Sequence, residues 1–419
     1  MTPREYLRTF RFDERLATGG YVPDAPVHVA PGDTVGVVLL SEGGPAERGD
    51  LERFLYDRYM DPAAFDLPVR GYLRHRVAQF LARRGAPRVG RGYELIGGAS
   101  PLIRHTKDQS RALQARLNAR AASGTPFRVY IAMRHGPLRT EGAVRRMVKD
   151  GVTKVVLVPL NPQYSSTTTG SALAYWDALE TTGHIPQLPS SLVPEYATHP
   201  KYVRALRDRV EEGLQRFPRE VRARVPVVFV APTTSRRAHT RSQDPYCCLV
   251  HATVDAVLAD GLQPGRSVRV AFHSEMVPGR GIRPDLVEVL ESLSEEGHSE
   301  VLVVPIGGVC DHVDTAYGLD VSVRARAVEL GFASYEVASS LNCHPLLIDA
   351  LADVALAGVT LDAGDGAVVP RPVTTTPVLC QRCGRTTAPR AWAEPSAPRP
   401  ADPPELRPSA PRPSGSRAA

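Results

Sequence analysis

The chain has 419 residues, of which 42% are hydrophobic and 23% are charged, and its formal net charge is +6. This composition is typical of a soluble globular protein with room for two domains. A transmembrane segment is not expected, because no apolar run approaches the roughly 20 residues that span a bilayer.

Three further features of the whole sequence limit the possible functions and locations of the protein. Residues 1–21 carry charges throughout and lack the hydrophobic segment of a secretory signal. The positive charge is not interleaved with aromatic residues in the way of nucleic-acid readers, so we expect no nucleic-acid partner. Six cysteines in so long a chain do not indicate a disulfide framework. A reducing cytoplasm is therefore the expected location.

The hydrophobic pattern predicts strands that alternate with helices along most of the chain. Apolar, β-branched runs predict six strands, at residues 34–40, 127–133, 154–160, 226–231, 267–272 and 301–306. Helical patterns follow or precede them at residues 109–120, 140–149, 249–259, 284–296, 321–330 and 346–356. Such alternation predicts parallel, doubly wound sheets, and here the rhythm occurs twice.

The same pattern divides the chain into four parts. Residues 1–33 form an extension without a strong hydrophobic period, residues 34–182 a first α/β lobe, and residues 183–360 a second one. Residues 361–419 contain two cysteines and a tail rich in Pro, Ala, Ser and Arg. We expect residues 388–419 to be disordered, because they offer too little apolar surface to offset the entropy of ordering.

The last predicted strand, residues 301–306, leads into the densest group of titratable residues in the chain. Its continuous apolar, β-branched composition suits a strand that is covered on both faces of a parallel sheet. Two glycines end it, and Asp311, His312 and Asp314 follow. Open α/β sheets bind their ligands at the carboxyl ends of the strands, so we expect a binding site there.

Four long motifs, residues 35–45, 93–102, 155–171 and 310–316, occur in the order of those of a known family. The last reads Cys-Asp-His-Val-Asp-Thr-Ala and resembles the Ser-Asp-His-Ile-Glu-Thr-Leu segment of ferrochelatases, the enzymes that insert ferrous iron into porphyrins. The third is nearly identical to the family's Leu-Tyr-Pro-Gln-Tyr-Ser-Ser-Thr-Thr-Thr-Gly-Ser signature. The resemblance extends from residue 34 to residue 358.

The resemblance implies a fold and a substrate class. The implied fold is α/β, with two similar doubly wound, Rossmann-like parallel-sheet lobes and a cleft between them, known as the chelatase fold. It agrees with the alternation of strands and helices. The implied ligand is a porphyrin, either coproporphyrin III or protoporphyrin IX, with Fe²⁺ as the second substrate in heme biosynthesis.

A hydroxyl-rich loop follows the third predicted strand. Residue types alone leave open whether it caps a helix or lines a cleft with hydrogen-bond donors. The resemblance favours the cleft and implies five substrate-binding residues: Tyr164, Ser165, Ser166, Thr167 and Thr168. His135, at the end of the second predicted strand, is either a solvated loop residue or, by the resemblance, an outer metal ligand or a contact to a propionate.

The largest departure from the ferrochelatase pattern follows the strand at residues 226–231. The family has a histidine there, which the resemblance implies as metal ligand and proton acceptor, but this chain has Pro232. Metallation must remove two pyrrole N–H protons, a task that a neutral imidazole suits and a proline cannot perform. Thr233 and Thr234 offer poor bases and poor iron ligands. The family's glutamate is also shortened by one methylene, to Asp314.

His273, at the end of the fifth predicted strand, is the replacement that we predict for the missing imidazole. The predicted catalytic residues are His273, His312 and Asp314, and the predicted metal contacts are His273, Asp314 and Asp311. His239 is a further histidine near the altered strand. The alternative for each histidine is a structural or solvated role. His273 or His239 in the cleft beside Asp314 would favour an iron-handling enzyme, and the absence of both from it would favour a binding protein.

The cysteines near the end of the chain suggest a metal cofactor. Some ferrochelatases hold a [2Fe-2S] cluster on carboxyl-terminal cysteines, and Cys343, Cys380 and Cys383 are the three predicted ligands here. The fourth of the thiolates that such a cluster needs is Cys310 or Cys247. A zinc site and free thiols are the alternatives.

Iron insertion into a porphyrin is the function that the sequence favours. Two other classes stay open because Pro232 and Asp314 alter both positions that handle metal and protons. One is a heme-, porphyrin- or iron-binding protein without catalysis, and the other is an enzyme with an iron centre that acts on a non-porphyrin small molecule. A shared fold does not decide among them.

Overall fold

The structure is a computed structural model that describes residues 1–120, 125–234, 239, 243–262, 265–275 and 281–361, with short strands between residues 372 and 392. Two four-stranded, fully parallel sheets form its framework. The first has the order β3-β2-β4-β5, with β2 at Val35–Gly43, β3 at Phe127–His135, β4 at Lys154–Pro159 and β5 at Ser190–Leu192. The second has the order β7-β6-β8-β9, with β6 at Val227–Pro232, β7 at Val268–His273, β8 at Glu300–Pro305 and β9 at Ser334–Val337.

These sheets confirm the predicted α/β class. The six predicted strands all form, with bounds that differ by up to three residues. The central strands are buried along most of their length, as in β2, where Val37 pairs with Val129 on one side and Val156 on the other. Continuous β-branched runs suit such positions because helices cover both faces of the sheet.

Helices fill the connections between the strands. They are α1 Pro3–Thr9, α2 Arg15–Thr18, α3 Leu51–Met60, α4 Gly71–Leu95, α5 Pro101–Arg120, α6 Thr140–Lys149, α7 Thr169–Thr181, α8 Pro200–Leu214, α9 Arg219–Arg222, α10 Tyr246–Ala259, α11 Leu286–Glu295, α12 Arg324–Glu329 and α13 Pro345–Ala357. A π-helical segment, Asp314–Val323, runs directly into α12. The described helices include none that is long and apolar enough to cross a membrane.

The amino-terminal extension is more ordered than its weak hydrophobic period suggests. Its first helix, α1, begins with a capping box in which Thr2 Oγ1 accepts from the Glu5 amide and the Glu5 carboxylate accepts from the Thr2 amide. The extension also contains β1, Val27–Val29, which pairs in parallel with β10, Val359–Leu361. A seven-residue helix and a three-residue strand are too short to show a period, so the sequence pattern missed both.

The two sheets are tied together across the predicted lobe boundaries. β5 belongs to the first sheet although it lies beyond residue 182, the expected end of the first lobe. Ser191 Oγ donates a 2.7 Å hydrogen bond to the Gly358 carbonyl, and Asp353 of α13 pairs with Arg120 of α5 at 2.6 Å. The carboxyl end of the second α/β unit therefore packs against the first sheet.

Part of the tail that was expected to be disordered forms a strand. β14, Arg390–Trp392, pairs antiparallel with β11, Pro372–Thr374, and between them β12, Val378–Leu379, pairs with β13, Thr386–Thr387. Trp392 is buried, with its ring centroid 4.5 Å from that of His199. The rest of residues 388–419 lies outside the described residues.

Candidate functional site

A cavity of about 1030 Å³ lies where the strands of both sheets end. Its lining comes from the ends of β2 and β4 in the first sheet and from the ends of β6, β7 and β8 in the second. Those wall residues are 41–43, 160–161, 232–234, Ser274, 308–310 and 312–314. The expected binding site thus lies at the carboxyl-end edges of both sheets. The volume of the cavity is sufficient for an organic ligand of many atoms.

Helices α3 and α4 and the loop between them close the other side of the cavity. This wall is largely apolar, with Phe54, Leu81 and residues 64–68, and carries the polar groups of Arg58 and Tyr93. A flat, mostly apolar ligand would bury its faces here, while polar groups at the strand ends would fix its orientation.

Asp314 is the carboxylate at the end of the cavity that belongs to the second sheet. Ser274 Oγ donates a 3.0 Å hydrogen bond to Asp314 Oδ2, and the Glu275 amide donates a 3.0 Å hydrogen bond to Oδ1. Burial alone would lower the pKa of Arg58, but the charges of Glu42 and Asp314 raise it. A guanidinium that stays charged therefore acts on this carboxylate from across the cavity.

His312 lines the same end of the cavity, and its hydrogen bonding indicates its tautomer. The backbone N–H of Asp314 donates to His312 Nδ1 over 3.1 Å. A neutral imidazole that accepts at Nδ1 carries its proton on Nε2. His312 in this arrangement is a donor at Nε2, and using Nε2 as a base or a metal ligand would require that it give up the amide contact.

His273 lies in a small pocket behind the cavity rather than in the cavity wall. This pocket of about 20 Å³ is lined by His273, Pro232, His312 and Asp314 among others, so the three predicted catalytic residues do come together. Burial lowers the pKa of His273, but the Glu275 hydrogen bond and the charges of Asp314, Asp285 and Glu275 outweigh burial and raise it. At a given pH, the protonated form of His273, which cannot bind a metal, is therefore more populated than in a free imidazole.

Pro232 ends β6 and lines both the cavity and the small pocket. Its carbonyl accepts a 2.9 Å hydrogen bond from the Tyr246 hydroxyl, and its register partner in β7 is His273. Pro232 thus lies beside the residue that carries the imidazole on the next strand, and it borders both the cavity and the small pocket.

Asp311 has a structural role. Asn342 Nδ2 donates to Asp311 Oδ2 over 2.7 Å, and the Asp311 amide donates to Asn342 Oδ1 over 3.0 Å. Thr315 Oγ1 donates to the second carboxylate oxygen over 3.3 Å. Asp311 is not among the residues that line the cavity within the described chain, and this geometry gives no support to its predicted metal contact.

Some residues of the hydroxyl-rich loop line the cavity, and others have a structural role. Thr167 and Thr168 line the cavity. Ser165 and Ser166 instead hold Asp244, whose Oδ2 accepts from Ser165 Oγ at 2.9 Å and from the Ser166 amide at 2.8 Å. Tyr164 is buried and donates to the Leu16 carbonyl over 2.8 Å. Two of the five predicted contacts face the cavity, and three position the loop.

His135 and His239 lie apart from the cavity lining. His135 is 2% exposed and lines an internal pocket of about 10 Å³ behind Phe54. Burial, followed by the charges of Arg134, Arg58 and Arg139, lowers its pKa well below the usual value. His239 is buried, and within the described chain neither pocket at the strand ends includes it.

The pair formed by Glu42 and Arg58 was not among the predicted site residues. Arg58 NH1 lies 3.3 Å from Glu42 Oε2, and both residues line the cavity. Tyr93 lies beside them, with a pKa that burial and then the charge of Asp314 raise. These residues come from β2, α3 and α4. Glu42 and Tyr93 lie in two of the motifs that resemble those of the family, whereas Arg58 lies in none of them.

Comparison with known proteins identifies the family. A family model described as Ferrochelatase matches residues 34–358. The chain belongs to the ferrochelatase family. The ferrochelatase of Geotalea daltonii is 32% identical over 319 residues, which are 76% of this chain and 96% of that protein. The mitochondrial ferrochelatase of Homo sapiens is 32% identical over 321 residues, 76% of this chain and 74% of that protein. The ferrochelatase of a Cyanothece species is 32% identical over 323 residues, 77% of this chain and 82% of that protein.

Among solved structures, SirB from Bacillus subtilis with Fe³⁺ is similar with a TM-score of 0.44 and 13% identity. The similarity covers 77% of this chain and 94% of that one. The matched ferrochelatase region begins at residue 34, so the helices α1 and α2 lie outside it.

The described cysteines of this ferrochelatase-family chain give no support to an iron–sulfur cluster. Cys343 is exposed, whereas Cys310 and Cys247 are buried. Cys310 donates to Gln109 Oε1 over 3.1 Å, and burial, then the charge of Asp311, raises its pKa, so a thiolate is disfavoured there. Cys380 and Cys383 lie outside the described residues. Within those residues no group of three or more His, Cys, Asp and Glu side chains has the arrangement of a metal site.

Proposed function

We propose that this protein inserts ferrous iron into a porphyrin, the activity for which its relatives are named. The observation that carries the proposal is the cavity between the ends of the two sheets, with Asp314 and His312 at one end and an apolar wall opposite. Its volume and mixed lining suit a flat tetrapyrrole whose centre lies near a carboxylate. Ferrous iron is a substrate here, and the two pyrrole protons are released as it binds.

Asp314 is the group that we assign to the metal and the protons. It is a carboxylate in the cavity wall whose two oxygens are held by Ser274 and by the Glu275 amide, so its direction is fixed. A hard oxygen ligand of this kind binds ferrous iron transiently, as delivery requires, and a carboxylate also accepts protons. Arg58 offsets part of the negative charge of Glu42 and Asp314 before iron arrives.

The two histidines take separate roles in this proposal. His312, a donor at Nε2, orients the ligand or a bound water rather than accepting the pyrrole proton. His273 shares the small pocket with Asp314, and a pocket of about 20 Å³ is large enough for one water molecule. Protons that reach Asp314 then pass through this pocket to His273, which releases its own proton to Glu275, 3.5 Å away.

The test is anaerobic incubation of the full chain with ferrous iron and either coproporphyrin III or protoporphyrin IX, followed by visible absorption. Repeated conversion of free-base bands to metalloporphyrin bands, above the rate without protein, supports iron insertion. An unchanged spectrum in the presence of both porphyrins contradicts it and favours a non-porphyrin substrate for the cavity.

Binding of a tetrapyrrole without metallation is the second candidate function. Pro232 favours it, because this residue occupies the position of the family's imidazole and has no group that accepts a proton. In the same assay this function gives a spectral shift that ends at one porphyrin per chain, without turnover.

A [2Fe-2S] cluster on Cys343, Cys380 and Cys383 stays a prediction. The buried, hydrogen-bonded Cys310 is a poor fourth ligand, as described above. Iron and acid-labile sulfide analysis of anaerobically purified protein tests the prediction. Stoichiometric sulfide that disappears in Cys380→Ser supports a cluster. Stoichiometric zinc without sulfide supports the alternative metal site. If the protein contains neither a cluster nor zinc, the cysteines are free thiols.

A further inference from the structure

A second concave surface lies beside the cavity, between the amino-terminal extension and the start of α4. This basic groove has a volume of about 590 Å³. Its charged lining residues include Arg4, Arg8, Arg11, Arg70, Arg74 and Asp66. Its charged part is unusual, since five guanidiniums face one carboxylate.

Most of this positive charge has no carboxylate partner. Arg4, Arg8, Arg11 and Arg70 form no ion pair within the described part of the chain, although many other arginines do, such as Arg15 with Asp13 at 2.9 Å. Arg11 donates instead to main-chain carbonyls at the end of α1, including that of Arg8 at 2.8 Å. Unpaired like charges that lie close together repel each other, and an anion in the groove would relieve that repulsion.

The cavity has the opposite balance of charge. Its described lining contains three carboxylates, Glu42, Asp66 and Asp314, and one guanidinium, Arg58, which already pairs with Glu42 at 3.3 Å. A ligand that bears carboxylates therefore finds apolar contacts in the cavity but no unpaired cation among these residues.

The basic groove and the cavity share a wall. Asp66 and Leu67 line both, and the loop that contains them is fixed from the groove side by Arg74. Arg74 is 3% exposed and donates to the Phe65 carbonyl over 2.6 Å and to the Asp61 carbonyl over 3.0 Å. The two surfaces are therefore adjacent at this loop.

We propose that the basic groove binds the carboxylate-bearing edge of the tetrapyrrole, so that the amino-terminal extension is part of the substrate-binding surface. This inference rests on the proposed function, because it takes a tetrapyrrole as the ligand of the cavity. The aromatic and aliphatic residues of the groove, such as Phe10 and Tyr72, contact the ring edge, and Arg8, Arg11 and Arg70 bind its carboxylates. Three of the five guanidiniums come from residues before the matched family region.

The experiment is a fluorescence titration of the full chain with porphyrin in the absence of iron. The test variant combines Arg8→Ala, Arg11→Ala and Arg70→Ala, three exposed side chains of the groove. The control variant combines Arg84→Ala, Arg145→Ala and Arg146→Ala, which remove the same charge from exposed positions elsewhere. We expect the test variant to bind coproporphyrin III roughly tenfold more weakly, with a smaller loss for protoporphyrin IX, which has fewer carboxylates.

A matched variant with lysine at positions 8, 11 and 70 should retain most of the affinity, because it keeps the charge. The loss in the alanine variant should also diminish at high salt, where surface charges are screened. Equal affinities of the test and control variants would overturn the groove proposal and leave the proposed function standing. Failure of every form to bind either porphyrin would contradict the proposed function itself.

A membrane surface is the competing occupant of the basic groove. The same variants are therefore mixed with vesicles of anionic phospholipid. A test variant that loses vesicle binding but keeps its porphyrin affinity would assign the groove to a lipid surface and overturn the tetrapyrrole proposal. Loss of porphyrin affinity without any vesicle binding by the wild type supports it.

Discussion

The backbone N–H of Asp314 donates a hydrogen bond to Nδ1 of His312 over 3.1 Å. Because this contact holds the neutral ring with its proton on Nε2, the imidazole that lines the cavity is a donor rather than a base. Asp314 is then left as the proton acceptor at this end of the cavity. Pro232, which also lines the cavity, has no group that accepts a proton, so this arrangement makes the carboxylate central to the proposed chemistry.

Restoring the imidazole should raise the activity. We expect Pro232→His to increase the rate of iron insertion on the order of 100-fold, because a positioned general base contributes about that much to proton transfer. Initial rates with ferrous iron and porphyrin measure the effect. The control is Pro232→Asn, which adds a polar side chain of similar size without a titratable group. Equal rates for the two variants would show that proton removal does not limit this protein.

The charge of Asp314 should be visible in the titration of His273. Asp314 is one of the charges that raise the pKa of His273 against the effect of burial. We therefore expect Asp314→Asn to lower this pKa, as measured by NMR of the imidazole ring across a pH series. Ser274→Ala keeps the charge and serves as the control. If the pKa of His273 were the same in Asp314→Asn and wild type, the charge of Asp314 would not act on His273.

His273 should also make stability depend on pH. Since its pKa is raised in the fold, the protonated form stabilises the native state fully below the unfolded pKa of about 6.5. That contribution is lost as the pH rises through the folded value. The difference in free energy of unfolding between wild type and His273→Gln should therefore shrink as the pH rises above about 6.5. Denaturant titrations at several pH values measure it, with His184→Gln as a surface control. If this difference in free energy of unfolding grew as the pH rose, the predicted direction of the pH dependence would be wrong.

Asp353 should hold the two sheets together. Burial raises the pKa of this carboxyl, but hydrogen bonds from His199, Lys201 and Arg120 outweigh burial and lower it to about 2. Asp353→Asn removes a fully buried negative charge from the partly exposed Arg120 and Lys201, so we expect a loss on the order of 3 kcal/mol at neutral pH. The stabilisation is present above the unfolded pKa of about 3.9 and disappears as the pH falls towards the folded value.

Chemical denaturation at neutral and acidic pH measures this effect. Asp349→Asn on the same helix is the control, because its ion pair with Arg116 is partly exposed and its loss should cost less than about 1 kcal/mol. Equal destabilisation by the two variants would remove the special role of Asp353.

The strands and the site edge were predictable from the sequence because their signals are local. Val301–Ile306 is apolar and β-branched, and the structure buries it in the second sheet. The residues that follow strand ends meet at one edge in a parallel sheet, so the placement of Asp314 and His312 in the cavity followed from chain order alone. The resemblance of the motifs to those of ferrochelatases further predicted that a second sheet contributes to the cleft.

The direction of individual side chains was not predictable, because it depends on contacts distant in sequence. Asp311 and Asp314 are three residues apart, yet Asn342 takes the first away from the cavity. His273 lies behind Pro232 because of the pairing between β6 and β7, which residue types do not specify. The basic groove likewise needs α1 to pack beside the start of α4, far along the chain.

The most direct test of the account is the turnover of porphyrin by wild type and Asp314→Asn under anaerobic conditions with excess ferrous iron. We expect wild type to convert many porphyrins per chain and the variant to lose roughly 100-fold or more in rate while it keeps its affinity for porphyrin. Turnover that is equal in the two proteins would contradict the assignment of metal and proton handling to Asp314.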